Sequence, residues 1–198
     1  MKRMKKILGI LLLSFFCCYA ILADDIQDFE IEGISIGDSL LSYLSEEEIK
    51  AEIKANKSTY AYLTEDFGEV YLYRDFKEYD RLSFFVKLKD KNYTIYSIAG
   101  AISYNDQLKN CFAKQKEIEK HFSSTFVNAK KKKNLVKFAF DPSGESVSHN
   151  ITFVFNTGDF FEVNCTKYKK SLKEKHNWHD SLQVTINRKE ITEWFSNR

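Results

Sequence analysis

Apolar and polar positions change their period several times along this chain, and each change marks an expected element. Ile31, Gly33 and Ser35 alternate with Glu32, Ile34 and Ile36, and Gly37 ends that run. Asp38 or Ser39 is placed to cap a short helix whose apolar residues are Leu40, Leu41 and Leu44. Ser45-Glu46-Glu47-Glu48 has the spacing of a capping box, in which Ser45 serves the amide of Glu48 and the Glu48 carboxylate reaches back. A second helix continues through Ile49 and Ile53. Three successive carboxylates suit the positive end of a helix dipole, and they splay apart rather than converge on a metal ion.

Period two takes over in the middle. Residues 58–63, 69–74, 82–89 and 93–104 are β-branched or aromatic runs and predict strands. Leu82, Phe84, Val86 and Leu88 share one face, and Asp90-Lys91-Asn92 reads as a hairpin turn. In the next run, Ile95 and Ala99 are expected on one side and Tyr96, Ile98 and Ile102 on the other. Both sides are apolar, so this strand is expected to be central, with Gly100 marking a bulge or a close approach of the following helix. Residues 106–126 form an amphipathic helix with Leu108, Cys111, Phe112, Ile118 and Phe122 on its stripe. A basic turn at 130–133 leads to strands at 135–140, 150–155, 160–166 and 182–187, with Asn156-Thr157-Gly158-Asp159 as a hairpin turn. A short helix closes the chain, capped by Asn187, with Ile191, Trp194 and Phe195 on its apolar side. This order predicts an α+β fold: a mainly antiparallel sheet, or sheets, of about 7–8 strands with helices packed on one face.

The first residues set the compartment. Lys2, Arg3, Lys5 and Lys6 precede an apolar run over 7–22, and Ala20 and Ala23 are small residues suited to cleavage. The run falls short of the roughly 20 residues a spanning helix needs. A signal peptide over 1–23, cut near Ala23, is therefore expected, leaving one α+β domain over 24–198; a retained anchor is the alternative. Cys17 and Cys18 follow bulky Phe15 and Phe16, which lipid attachment does not favour. The mature chain is expected to be periplasmic or secreted, and its Lys- and Asn-rich composition looks bacterial. The sequons at Asn56, Asn92, Asn150 and Asn164 are then coincidental.

Export changes the charge. The full chain carries 30 basic and 28 acidic side chains; without residues 1–23 it has 26 against 28, a net of −2. Such a chain has no general electrostatic reason to bind nucleic acid. Residues 24–103 carry a net −8 and residues 104–198 a net +6. This asymmetry fits two regions that attract each other within one fold.

Only Cys111 and Cys165 remain after cleavage. Cys111 lies on the stripe of the 106–126 helix, and Cys165 shares a strand face with Phe161 and Val163. In an oxidising compartment they are expected to form one disulfide. A C-x-x-C redox motif is absent from the sequence.

Catalytic signatures are sparse. The four histidines form no H-E-x-x-H, and no phosphate-binding glycine loop occurs. His176, His179 and Asp180 form one local cluster with metal-ligand character, for which solvated loop residues are the plainer account. Lys167, Lys169, Lys170, Lys173 and Lys175 interleave with Tyr168 and Trp178, a pattern suited to an anionic membrane surface and equally to a solvated loop or hairpin extension. Tyr60, Tyr62, Tyr71 and Tyr73 fall in predicted strands, so an exposed tyrosine-bearing sheet face is the natural place for a binding surface.

FEIEGISIGDSL, together with the signal peptide, resembles small exported bacterial proteins of unknown function. More loosely, it is similar to the small outer-membrane-assembly lipoproteins and the β-lactamase-inhibitor-like fold, in which such a start leads into a helix and an antiparallel sheet. The resemblance covers Phe29 to about Leu44, implies an envelope role and carries over no functional residue. The expected function is that of an exported non-enzymatic protein binding another envelope component, without cofactors. An enzyme with a dispersed site using Tyr, Lys or His, or a protein of anionic membrane surfaces, is the alternative.

Overall fold

The computed structural model describes residues 26, 29–59, 66–105 and 107–197. The expected signal peptide, its cleavage point and Tyr60 and Tyr62 lie outside them. Strands β1 (Glu30–Ile31) and β2 (Ile34–Ser35) form a two-residue hairpin. Its central residues Glu32 and Gly33 both have positive φ, at 55° and 76°, as a primed turn requires. A 3-10 turn at Leu40–Ser42 follows, with Ser39 at its N-cap position but no side-chain capping bond. The Ser39 hydroxyl instead donates to the Asn92 carbonyl at 2.6 Å, and the Asp38 carboxylate accepts the Ser35 amide at 3.0 Å. Helix α1 (Glu46–Thr59) begins at the expected capping box, with the Ser45 amide donating to Glu48 Oε2 at 2.8 Å and the Glu48 amide to Ser45 Oγ at 3.3 Å.

The remaining elements are β3 (Phe67–Leu72), β4 (Arg81–Lys87), β5 (Ile95–Ser103), α2 (Leu108–Thr125), β6 (Lys130–Lys137), β7 (Val147–Val154), β8 (Phe160–Lys167), α3 (Lys170–His176), β9 (Ser181–Asn187) and α4 (Lys189–Ser196). One seven-stranded sheet, in the order β3-β4-β5-β9-β8-β7-β6, is antiparallel throughout. The architecture is α+β, and β5 is interior as expected.

Registry assigns the two faces. Cys165 pairs with Leu182, Val163 with Val184 and Phe161 with Ile186; Ile98 pairs with Ile186 and Phe84 with Ile98. These residues form one apolar face, and all are almost fully buried. Helix α2 lies over β8 and β9 on that face, and α1 packs at β3, where a side chain on Gly68 would strike Ile53 at 2.8 Å. The stripe of α2 is as expected, and Cys111 and Cys165 form the disulfide, both fully buried. Gln115, in the middle of that stripe, is buried too, and its amide donates to the carbonyls of His149 at 2.6 Å and Val163 at 3.0 Å. Short α4 sits at the foot of the opposite face, where Trp194 meets Phe67 and Phe85 edge-on at 5.1 and 6.0 Å.

Several local expectations are corrected. Ser58 is helical, the last but one residue of α1, because the helix continues past the expected boundary to cover β3; the rest of the expected strand at 58–63 lies outside the described residues from 60 onward. Lys130–Lys133 is no turn but the first half of β6, paired residue for residue with β7. In β5, the register shifts opposite Phe85 and Val86, so Val86 pairs with Ile95 and Phe85 with Ser97, leaving Tyr96 as a bulge. Ile95 therefore joins Ile98 and Ile102 on the apolar face, and Tyr96 and Ala99 take the other. Gly100 is not the bulge, and the close approach there is made by the Tyr79 ring, which a side chain would meet at 2.5 Å, rather than by the following helix. Asn187 ends β9, and Arg188 occupies the N-cap position of α4.

The two edges of the sheet are protected differently. Along β3, Asn56 of α1 donates to the Glu69 carbonyl at 2.9 Å and Glu52 accepts the Tyr71 amide at 3.3 Å, so the helix occupies backbone groups of the edge strand. Along β6, four successive lysines discourage edge-to-edge pairing. Lys131 and Lys133 reach Glu119 of α2 at 3.0 and 2.7 Å. Burial raises the Glu119 carboxyl, but the two ammonium groups outweigh it and hold it below its usual range.

Candidate binding surface

The face opposite α1 and α2 is polar along β7, β8 and β9. Ser148, Asn150, Thr152, Glu162, Asn164, Thr166, Gln183 and Thr185 alternate with the apolar set. Their side chains bond across and along the strands. Thr152 donates to Glu162 Oε2 at 2.8 Å and Asn150 to Glu162 Oε1 at 3.2 Å, while Ser148 donates to Asn150 at 2.6 Å. Asn56 and Asn164 of the sequons are buried, which fits them to packing rather than glycan attachment.

At the end of this face where β5, β8 and β9 meet α3, four aromatic rings from two distant segments gather. Phe138 and Phe140 follow β6; Tyr168 follows β8 and Trp178 follows α3. Phe138 stacks on Phe140 at 4.9 Å and on Tyr168 at 5.8 Å; Trp178 meets Tyr168 at 5.0 Å and Phe140 edge-on at 5.4 Å. Phe140 remains 50 % exposed. Beside the cluster, Tyr73, Arg81, Tyr168, Trp178 and His179 line a cleft of about 530 Å³. Arg81 lies over the Tyr71 ring at 5.5 Å, and the Asp80 carboxylate accepts the Ser103 amide at 2.6 Å.

Two buried carboxylates hold the cluster in place. Asp141 accepts the Ser143 hydroxyl at 2.6 Å and the amides of Ser143 at 3.1 Å and Ser146 at 2.8 Å, fixing the loop that carries Phe138 and Phe140. These bonds, the Ser143 hydroxyl first, hold the Asp141 carboxyl far below the usual carboxylate range. Asp180 accepts the Tyr168 amide at 2.9 Å and the Lys173 ammonium at 3.1 Å, tying the residues before α3 and the middle of the helix to the segment that follows it. Ser146 ties the two halves together, since its hydroxyl accepts the Lys169 amide at 2.9 Å. Helix α3 itself replaces the expected loop or hairpin extension, with Asn177 in the left-handed region at φ 54° as its C-cap.

The sequence-level candidates fall in or around this end. Of the five lysines, Lys169 pairs with Glu145 at 3.2 Å, Lys170 with Glu174 at 3.9 Å and Lys173 with Asp180. Lys167 and Lys175 are exposed. His176 stacks on Trp178 at 4.7 Å, and His179 faces the cleft, while the Asp180 carboxylate is engaged by Tyr168 and Lys173. Among the described residues, no three His, Cys, Asp or Glu side chains converge as a metal site. Tyr43 and Tyr79 are each pushed up to about 12, chiefly by burial and further by neighbouring carboxylates, the opposite of the shift a general base near neutrality needs. Phe138, Phe140 and Asp141 were not among the sequence candidates; the local signal was FAFDPSG, apolar alternation running into an Asp-Pro-Ser-Gly turn.

Comparison with known proteins found no matching family model, no matching curated protein and no matching solved structure. Among the described residues, no helix is long and apolar enough to cross a membrane. The buried disulfide fits an oxidising, exported setting.

Proposed function

We propose that the mature chain is an exported, non-enzymatic binding protein that holds another envelope protein against the aromatic cluster of Phe138, Phe140, Tyr168 and Trp178. The observation that carries this is the pinning of one exposed and three half-buried rings by buried carboxylates. Partly exposed aromatic groups gain little for folding, yet Asp141 and Asp180 spend five protein-backbone, hydroxyl and ammonium bonds fixing the segments that bear them. Rings held rigid before contact lower the ordering cost of association, and aromatic residues are favoured anchors at interfaces. Arg81 and Lys167, beside Tyr168 and Trp178, favour a docking segment whose apolar side chains are flanked by carboxylates. The resemblance at residues 29–44 agrees with an envelope role.

A photo-reactive phenylalanine analogue at Phe140, irradiated in intact exporting cells, tests this. A discrete protein adduct is expected from position 140, none from exposed Lys120 on α2, and loss of the adduct on Trp178→Ala with Arg81→Ala. Equal labelling from both positions, or no adduct at 140, contradicts the proposal.

A further inference from the structure

Helices α1 and α2 cover the two flanks of the apolar face, and between them the β1–β2 hairpin and Tyr79 stand over it. Under that bridge lies a cavity of about 360 Å³. Phe122 of α2 and Phe161, Val184 and Ile186 of the sheet line its floor. The last three are 4 % exposed or less, so the cavity reaches the core itself. Packed interiors leave few voids larger than a water molecule, and 300 Å³ or more is the size range of small-molecule sites.

Its mouth is acidic. Glu30 of β1, Glu78 of the β3–β4 connection and Glu117 of α2 stand around it, against the His121 imidazole and one ammonium, Lys114, which pairs with Glu117 at 3.2 Å. Glu30 and Glu78 make no ion pair among the described residues. The placement of Glu78 is built: Glu32 accepts the amides of Lys77 at 3.2 Å and Glu78 at 2.7 Å, clamping that connection to the hairpin. Tyr79, whose hydroxyl is held protonated by burial and then by Glu78 and Glu32, shares the cavity wall. Both Glu30 and Glu78 belong to the half of the mature chain that carries the net −8.

We propose that this cavity is a second binding site, separate from the aromatic cluster, for a small organic cation: an apolar body seated on Phe122, Phe161, Val184 and Ile186, with an ammonium group among Glu30, Glu78 and Glu117. An apolar floor draws in hydrocarbon of either charge; the carboxylate rim selects the sign.

Methyl-resolved NMR of the oxidised mature chain, titrated with 2-phenylethylammonium and with its anionic counterpart 3-phenylpropionate, tests the site. Saturable shifts of the Ile118, Val184 and Ile186 methyls are expected with the ammonium, at least tenfold tighter than with the carboxylate. Glu78→Gln with Glu117→Gln, both at the mouth and outside the core, should shrink that preference to about threefold or less while leaving the methyl spectrum folded. Absence of saturable shifts, equal affinity for the two probes, or a preference unchanged in the double variant each overturns the assignment. None of these outcomes bears on the cluster at Trp178.

Discussion

On the helix-covered face of the sheet, the residues Leu82, Phe84, Ile98, Phe161, Val163 and Leu182 are each 1 % exposed or less; on the other face the same strands carry Ser83, Ala99, Glu162, Asn164 and Gln183. The first set is held by burial and by one covalent bridge. The second, of which Ser83, Ala99 and Asn164 are buried too, is tied by side-chain bonds such as those of Thr152 and Asn150 to Glu162. The contrast puts the apolar core on one side; on the other, α4 covers one end through Trp194, and the aromatic cluster proposed as a binding surface lies at the opposite end. It also predicts unequal tolerance to substitution.

The largest effect is expected from the bridge. Replacing Cys111 and Cys165 by Ser should cost roughly 4 kcal/mol, the chain-entropy value for a loop closed across 54 residues. Urea unfolding measures it; a cost below about 1 kcal/mol would mean the covered face holds itself without the cross-link. Next comes Gln115→Ala, which removes the amide bonded to the carbonyls of His149 and Val163 and opens a small cavity under α2. A loss of about 2 kcal/mol is expected by the same method.

Asp141→Asn sharpens the comparison through pH. Its carboxyl is lowered in the folded state, so its stabilisation is complete above the unfolded value near 3.9 and fades as pH falls through the lower folded value. The variant lacks that contribution at neutral pH, and its stability should fall less steeply than the parent's below about pH 4. Near-UV circular dichroism of the Trp178 cluster should weaken in the variant, while far-UV signal is retained. The smallest effect belongs to the open face. Thr152→Val removes one bond to Glu162 and should change stability by about 0.5 kcal/mol or less.

The sequence made the covered face legible because burial writes itself as period. Leu82, Phe84 and Val86 and the stripe of Leu108, Cys111, Ile118 and Phe122 needed no tertiary information, and together they located the disulfide. The capping box at Ser45 was equally local. Lys130–Lys133 was misread because lysine has little strand preference of its own; pairing with β7 and the carboxylate of Glu119 make it a strand. The bulge at Tyr96 reversed the expected sidedness of Ile95, since one inserted residue exchanges the faces beyond it.

The candidate surface was half legible. Tyr168, Trp178 and the lysines stood out by composition, yet Phe138 and Phe140 lie some thirty residues earlier, and only the β6–β7–β8 registry brings them to Tyr168. Asp180 drew notice as a metal ligand beside His176 and His179. Its neighbours through space give it another task, the anchoring of Tyr168 and Lys173.

Hydroxyl-radical footprinting of the protein in its native envelope, set against the purified mature chain, tests the central claim most directly. Protection of several-fold is predicted at Phe140, Tyr168 and Trp178, with Leu41 and Phe195, which are 41 % and 44 % exposed, unchanged. Protection at Leu41 or Phe195 with the cluster still fully reactive would contradict it.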